Sequence, residues 1–156
     1  MRFVGIDLGL KRIGLAVSDG SGTLARPLRT LTRGGSDDEA AAAAIADAIA
    51  VLAREEDGVA AIVVGLPKRL DGSETDLTTH VRRMVDRLRP LVRIPIELQD
   101  ERLSSQEAES RLALRERDWR ARKARLDAAS AAVILQDYLD SRATAPPSIS
   151  PASIQD

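Results

Sequence analysis

The chain has 156 residues, 44% hydrophobic and 30% charged, which is an ordinary globular composition with enough apolar material for one core. The absence of cysteine excludes disulfides, thiolate zinc sites and a cysteine nucleophile, and the single histidine excludes a site that needs two imidazoles. With 23 basic and 24 acidic residues the net charge is −1, so a polyanionic partner would need a local basic surface.

Both ends of the chain inform the domain organisation. No segment approaches the roughly 18 consecutive apolar residues of a membrane span, and the N-terminus lacks the hydrophobic core of a signal peptide. We therefore expect a soluble, cytoplasmic protein. The residues from Ser141 onward are rich in Ala, Pro and Ser, which predicts one domain over residues 1–140 and an unstructured tail over 141–156.

The first third of the chain predicts a hairpin and a helix. Residues 2–8 and 12–18 are apolar runs separated by a glycine-containing turn, and residues 23–31 indicate a third strand. The segment Ser36-Asp-Asp-Glu39 supplies a cap and first-turn acids for an alanine-rich helix that reaches about Glu56.

The remainder predicts an alternation of strands and helices. The uninterrupted apolar run 59–64 is typical of a parallel strand covered on both faces. Ser73 and Asp76 have the spacing of a capping box for a helix to about Leu88, which Pro90 ends. A strand over Ile94–Leu98 and helices over 105–117 and 125–140 follow. This order predicts an α/β fold: a mixed sheet with an antiparallel opening meander and parallel strands, flanked by helices.

Acidic residues stand where these strands end. Asp7 ends the first strand on the face of Phe3 and Gly5, and Asp100 and Glu101 follow the strand 94–98. If those two strands are parallel neighbours, their carboxyl ends share one edge of the sheet. Asp127 opens the last helix on its inward-facing stripe. Carboxylates that converge without histidines require a divalent cation, so the pattern predicts a Mg²⁺ or Mn²⁺ site.

Each acid also has a purely structural interpretation. Asp7 could begin a turn, Asp100 and Glu101 could be solvated loop charges, and Asp127 could be only a helix N-cap. Convergence favours the metal site, and convergence depends on the inferred order of the strands.

Four motifs in the chain resemble a known family. They are Asp7-Leu-Gly with Arg12-Ile-Gly-Leu-Ala, Val64-Gly-Leu-Pro with Gly72-Ser-Glu, Asp100-Glu-Arg-Leu-Ser, and Asp127-Ala-Ala-Ser-Ala-Ala followed by Ile134-Leu-Gln-Asp-Tyr-Leu. This set, which covers residues 3–140, resembles the YqgF family of bacterial pre-16S ribosomal RNA nucleases, also called Holliday junction resolvases.

The resemblance implies a ribonuclease H-like fold and a nuclease that depends on divalent metal. Carried over by motif, Asp7, Glu101 and Asp127 correspond to the catalytic, metal-binding set, with Asp100 in a supporting position. Two Mg²⁺ or Mn²⁺ ions held by such carboxylates would activate water and stabilise the leaving 3′ oxygen of a phosphodiester.

Basic residues near the predicted site are candidates for contact with the nucleic-acid backbone. Arginines and a lysine surround Trp119 between Arg111 and Arg125, and Trp119 could stack on a base or simply anchor a helix pair. Charges in exposed turns are also common without any ligand. The candidate substrate-binding residues are Lys11, Arg12, Lys68, Arg102, Arg120 and Arg122. His80 fits a plain surface residue.

Several functions remain compatible with these motifs. A nuclease that processes the 5′ end of pre-16S ribosomal RNA is favoured, and a Holliday junction resolvase is the alternative. A junction resolvase should be a dimer, and both a monomer and a homodimer are compatible with the sequence. A catalytically idle RNA-binding module is a further alternative. A small actin-like ATP-binding domain is less favoured, because such ATPases need two lobes.

Overall fold

The computed structural model describes residues 1–33, 37–102 and 119–144. The elements are β1 (Arg2–Leu8), β2 (Arg12–Ser18), β3 (Ala25–Thr32), α1 (Asp38–Arg54), β4 (Val59–Lys68), α2 (Asp76–Leu88), a 3₁₀ turn (Arg89–Leu91), β5 (Ile96–Arg102) and α3 (Trp119–Thr144).

The five strands form one mixed sheet in the order β3-β2-β1-β4-β5. The pairs β1/β2 and β2/β3 are antiparallel, whereas β1/β4 and β4/β5 are parallel. This confirms the predicted α/β class with its antiparallel meander.

The parallel half of the sheet differs from the prediction in two ways. Strand β5 spans Ile96–Arg102 rather than 94–98, so Asp100 and Glu101 are strand residues and do not follow the strand. Strands β1 and β5 are not neighbours, because β4 lies between them. Strand β4 continues past the apolar run to Lys68 and pairs Pro67 with Glu101, which extends β5 beyond the predicted end at Leu98.

The helix starts are set by side-chain caps. Asp37 caps α1 by accepting a hydrogen bond from the backbone N–H of Ala40 at 2.8 Å. The predicted Ser73/Asp76 capping box is wrong, since the residues that exchange cap hydrogen bonds at the start of α2 are Thr75 and Thr78. The Thr78 hydroxyl also donates to the carbonyl of Pro67, which ties this helix to the end of β4.

The two faces of the sheet are covered by different helices. Side chains alternate along β1, so Val4, Ile6 and Leu8 join the core under α1 and α2. Phe3 packs on the other side, in the cluster that contains Leu135 of α3. As predicted, Asp7 shares the face of Phe3 and Gly5, which is the face covered by α3.

Helix α3 lies very close to the sheet because glycines line its path. A Cβ atom on Gly14 would lie 1.9 Å from the backbone oxygen of Asp127, and one on Gly5 would lie 2.7 Å from the Leu135 Cβ. Any side chain at either position would push the helix outward. The helix is longer than the predicted 125–140 and runs past the predicted end of the domain to Thr144. The predicted helix over 105–117 and residues 145–156 lie outside the described residues.

None of the helices in the described part is both long enough and apolar enough to cross a membrane.

Candidate active site

A cavity of about 150 Å³ opens at the carboxyl ends of β1 and β4, between α2 and α3. Its polar lining includes the side chains of Asp7 from β1, Glu101 from β5 and Ser130 from α3. Apolar side chains form the rest of the wall, among them Leu8, Pro67, Leu77, Val81, Val133 and Ile134. The position agrees with the general rule that ligands gather beyond the carboxyl ends of parallel strands.

Asp7 and Glu101 face the same cavity although a whole strand separates β1 from β5. The residue between them on β4 is Gly65, which follows Val64, the partner of Ile6 in the ladder. A Cβ atom on Gly65 would lie 3.4 Å from the Glu101 Cγ and 2.6 Å from the Ile134 Cδ1. Gly65 lines the same cavity as Asp7 and Glu101, and its missing side chain leaves room there.

Asp127 reaches the same region from α3. Its backbone oxygen packs on Gly14, which is the residue of β2 directly opposite Asp7. Ser130, about one helical turn later, lines the cavity, whereas Asp127 is not among the described residues that line it. The fold thus brings Asp127 to the strand adjacent to Asp7, on the same face of the sheet.

The donor chemistry of this region suits a hard divalent cation. Carboxylate and hydroxyl oxygens are the ligands that Mg²⁺ and Mn²⁺ prefer, and Asp7 and Glu101 present such oxygens to one cavity. Within residues 1–33, 37–102 and 119–144, no three His, Cys, Asp or Glu side chains are grouped closely enough to hold a metal ion. The structure therefore contains two of the predicted carboxylates at one cavity and the third close to it.

Asp100 is not brought together with Asp7. It alternates with Glu101 along β5 and so projects from the opposite face of the sheet. Its carboxylate lies 3.5 Å from the Nζ of Lys68, and its side chain is 53% exposed. An exposed ion pair of this length contributes little to stability. Like Asp100, the Lys68 side chain lies on the side of the sheet away from the cavity.

The predicted substrate-binding residues have diverse surroundings. Lys11 lies in the turn after β1 and Arg12 is the first residue of β2, and the buried Nη1 of Arg12 has no hydrogen-bond partner among the described residues. Arg102 donates a hydrogen bond to the carbonyl of Leu70 at 3.4 Å. The side chains of Arg120 and Arg122 lie outside the described residues, as does most of the basic segment that contains them.

His80 is half-buried rather than a plain surface residue. Burial lowers its pKa, and the nearby carboxylate of Asp38 opposes that shift only in part. It is on α2, and it does not belong to the described lining of the cavity.

The apolar run 59–64 predicted a strand that ends at Val64, whereas Gly65 is also a strand residue and lines the cavity. An isolated glycine at the end of an apolar run is a signal of close approach, and it could have been interpreted so. Ser130 entered the prediction only as part of the motif that begins at Asp127, and its place in the cavity depends on how α3 docks.

Comparisons with known proteins agree with this architecture. The family model described as RuvX: Holliday junction resolvase matches residues 1–141. A protein of Anaeromyxobacter dehalogenans (strain 2CP-C), named "Putative pre-16S rRNA nuclease", is 46% identical over 92% of this chain and 99% of its own length. Relatives of the same name from Oleidesulfovibrio alaskensis and Roseiflexus sp. are 39% and 38% identical, each over 90% of this chain and over 92% and 95% of their own lengths.

Solved structures support the fold. The structure of T. thermophilus RuvC in complex with a Holliday junction substrate superposes with a TM-score of 0.51 at 17% identity, over 92% of this chain and 96% of that chain. At this identity the likeness shows a shared ribonuclease H-like fold, as the motifs implied.

Proposed function

The chain belongs to the RuvX (YqgF) family of Holliday junction resolvases, and from this premise we propose that it is a metal-dependent nuclease that processes the 5′ end of pre-16S ribosomal RNA. The observation that carries the proposal is the convergence of Asp7 and Glu101 on one cavity across Gly65. The names of the relatives, which are 38–46% identical over about nine-tenths of the chain, favour ribosomal RNA as the substrate. Such a substrate implies a cytoplasmic protein.

The carboxylates are the proposed metal ligands. Asp7 and Glu101, with Asp127 from α3, would hold two Mg²⁺ or Mn²⁺ ions. Bound there, such ions activate a water molecule and stabilise the leaving 3′ oxygen of the phosphodiester. Asp100 projects from the opposite face of β5, so we give it no part in the metal set.

The remaining residues position the substrate and exclude solvent. Apolar walls from β4, α2 and α3 surround the two carboxylates, which strengthens charge interactions inside the cavity. Lys11 and Arg12, next to Asp7 in the chain, are the proposed contacts to the phosphates beside the cleaved bond. Arg102, Arg120, Arg122 and, more weakly, Lys68 are the proposed contacts farther along the backbone.

A specific observation also supports a second substrate. The matching family model is described by Holliday junction resolution, and the superposed RuvC structure holds a DNA junction. Cleavage of a four-way DNA junction is therefore the alternative activity of the same cavity, and a dimer with two sites would be required for it.

The test is cleavage of two labelled substrates, a pre-16S ribosomal RNA 5′ end and a four-way DNA junction, with Mg²⁺ or Mn²⁺ and with EDTA. We expect metal-dependent cleavage of the RNA. Asp7→Asn and Glu101→Gln should each lower the cleavage rate by more than about a hundredfold. The reason is that loss of a residue that only contacts a metal ligand already lowers activity by up to about a hundredfold, and a direct ligand contributes more.

Asp100→Asn is the matched control, because it removes a carboxylate from the adjacent position of the same strand on the opposite face. We expect it to keep close to the wild-type rate. Cleavage of the junction alone would move the function to recombination. Full activity in Asp7→Asn, or metal-independent cleavage, would contradict the proposed site.

A further inference from the structure

Two exposed leucines flank the catalytic cavity, on the two loops that leave the sheet at its edge. Leu10, in the turn between β1 and β2, is 66% exposed, and Leu70, in the loop between β4 and α2, is 62% exposed. A single exposed leucine is ordinary on a globular protein, so exposure alone carries no argument. The position of these leucines is informative, because β1 and β4 are parallel neighbours and the loops that follow them lie side by side at the carboxyl ends of the strands.

The surroundings of the leucines connect them to the site. Leu10 and Arg69 line one open cavity of about 650 Å³. Leu77 of α2 lines both this cavity and the one that contains Asp7 and Glu101. A strand that occupies the catalytic cavity would therefore pass directly beside both loops.

Hydrogen bonds hold both loops in shape, and in the first loop the N–H of Gly9 donates to the carbonyl of Asp7 at 3.2 Å. In the second loop, the N–H of Arg69 donates to the carbonyl of Ser73 at 3.0 Å, and the N–H of Gly72 donates to the carbonyl of Arg69 at 2.9 Å. Gly72 has φ +85°, a conformation that favours glycine, and Arg102 donates to the carbonyl of Leu70. A fixed loop presents its exposed side chain with little loss of entropy on binding.

Charge identifies the kind of partner that these leucines meet. Lys11 and Arg12 follow Leu10 in the chain, and Arg69 precedes Leu70. Each leucine is therefore an apolar tip beside cations, which suits a polymer with phosphates outside and flat apolar bases inside. The two carboxylates lie in a recess between α2 and α3 that is walled mostly by apolar side chains, so a phosphodiester must leave the regular path of a stacked strand to enter it.

We propose that Leu10 and Leu70 are wedges that enter the base stack of the bound strand and splay the nucleotides on either side of the phosphodiester that enters the catalytic cavity. This inference rests on the proposed nuclease function. It makes the two leucines positioning residues that select a cleavage site in paired RNA by opening it. The cost of unstacking is met by the phosphate contacts of the neighbouring basic residues.

The test compares two forms of the same labelled RNA, one with the cleavage site base-paired and one with the flanking nucleotides unpaired. Leu10→Ala/Leu70→Ala should cleave the paired form about a hundredfold more slowly than wild type, about tenfold for each leucine, and the unpaired form within about threefold of wild type. Substitution of both leucines by Met, which keeps an apolar tip, should restore cleavage of the paired form.

Leu24→Ala is the matched control. Leu24 is also 66% exposed, but it lies in the turn between β2 and β3 at the opposite end of the sheet. We expect this variant to cleave both RNA forms at the wild-type rate.

A second readout measures unstacking directly. The base analogue 2-aminopurine, placed beside the cleavage site, fluoresces more strongly when it is unstacked. Its fluorescence should rise when the RNA binds Asp7→Asn protein and should not rise with Asp7→Asn carrying Leu10→Ala and Leu70→Ala. The same background with Leu24→Ala should retain the increase.

The outcomes separate this inference from the proposed function. Suppose that the wild type cleaves RNA in a manner that depends on Asp7, and that the leucine double variant cleaves both RNA forms at the wild-type rate. That result would overturn the wedge and leave the nuclease intact. It would favour a protein partner for the leucines. Equal losses on both forms would also overturn it, since a wedge acts only on stacked bases. Absence of cleavage by wild type would instead count against the nuclease.

Discussion

The two faces of the sheet are built by different packing principles. The face under α1 and α2 is filled by large aliphatic side chains, including Ile6, Ile45 and Ile62, each fully buried. The face under α3 is built from small residues at the points of closest contact, where Gly5 and Gly14 touch the helix. One face derives its stability from side-chain volume and the other from close approach of backbones.

The difference explains where the site is. The glycine-lined face admits the backbone of Asp127 beside Asp7 and leaves a gap at Gly65, next to the point where Leu8 and Val81 of the other face wall the same cavity. All of the proposed metal ligands belong to the glycine-lined face. The following predictions test that division, in decreasing order of the expected change in the free energy of unfolding.

Removal of side-chain volume should damage the α1/α2 face most. Ile62→Ala deletes a side chain with no exposed surface and should lower the free energy of unfolding by about 2–5 kcal/mol. The cleavage rate of the protein that remains folded should be unchanged, because Ile62 projects away from the cavity. Urea denaturation measures the first quantity. Val51→Ala, at an exposed position of α1, is the control and should change stability by less than about 0.5 kcal/mol.

Addition of volume should damage the α3 face. Gly14→Ala places a Cβ atom 1.9 Å from a backbone oxygen of α3, and a backbone contact cannot be relieved by a side-chain rotation. We expect a loss of about 1–3 kcal/mol and a marked fall in cleavage, since Asp127 moves with the helix.

Gly20→Ala is the control for Gly14→Ala, because its Cβ would lie 3.4 Å from the nearest atom. Wild-type stability and activity in Gly14→Ala would show that α3 does not need the close approach.

Gly65→Ala should separate activity from stability. Its Cβ would meet the movable end of Ile134 and the Glu101 side chain rather than backbone, so the cost in stability should be at the low end of the usual range, about 1 kcal/mol. The same methyl group would enter the cavity that Asp7 and Glu101 line, and a displacement of about 1 Å at a reacting centre can lower the rate about a hundredfold. Thermal unfolding and cleavage assays on the same preparation check both. A variant with the wild-type rate would exclude Gly65 from the site.

The smallest effect concerns the far end of α3, where Tyr138 donates a hydrogen bond to Glu97 of β5. Burial, followed by this hydrogen bond and the charge of Glu97, raises the pKa of Tyr138 from 10.0 to about 12. Because the folded pKa exceeds the unfolded one, the stabilising contribution is complete below pH 10 and is lost as the pH rises from 10 to about 12.

The chain has a single tyrosine, so its ultraviolet titration reports Tyr138 alone. We expect a midpoint near 12 in the wild type and a lower one in Glu97→Gln, because that substitution removes the negative charge beside the hydroxyl. A wild-type midpoint near 10 would contradict the contact between α3 and β5.

Local patterns predicted most of the elements, because strand alternation, helix propensity and caps act over a few residues. The hairpin of β1 and β2 has the predicted bounds, and Asp37 caps α1 as its position before the alanine-rich run indicates. The error at Ser73 arose because Thr75 and Thr78 offer the same cap chemistry two residues later. Only the contact between Thr78 and Pro67 distinguishes the two starts.

The sequence by itself determined the family, the α/β class and the face of β1 on which Asp7 lies, since motif identity and a period of two need no long-range information. Only the tertiary structure decided that β4 separates β1 from β5, that Asp100 and Glu101 lie within β5, and that Asp7, Gly65 and Glu101 line one cavity. The physical reason is that strand order and register are properties of the whole sheet. They follow from how two differently packed layers cover it, and no single segment contains them.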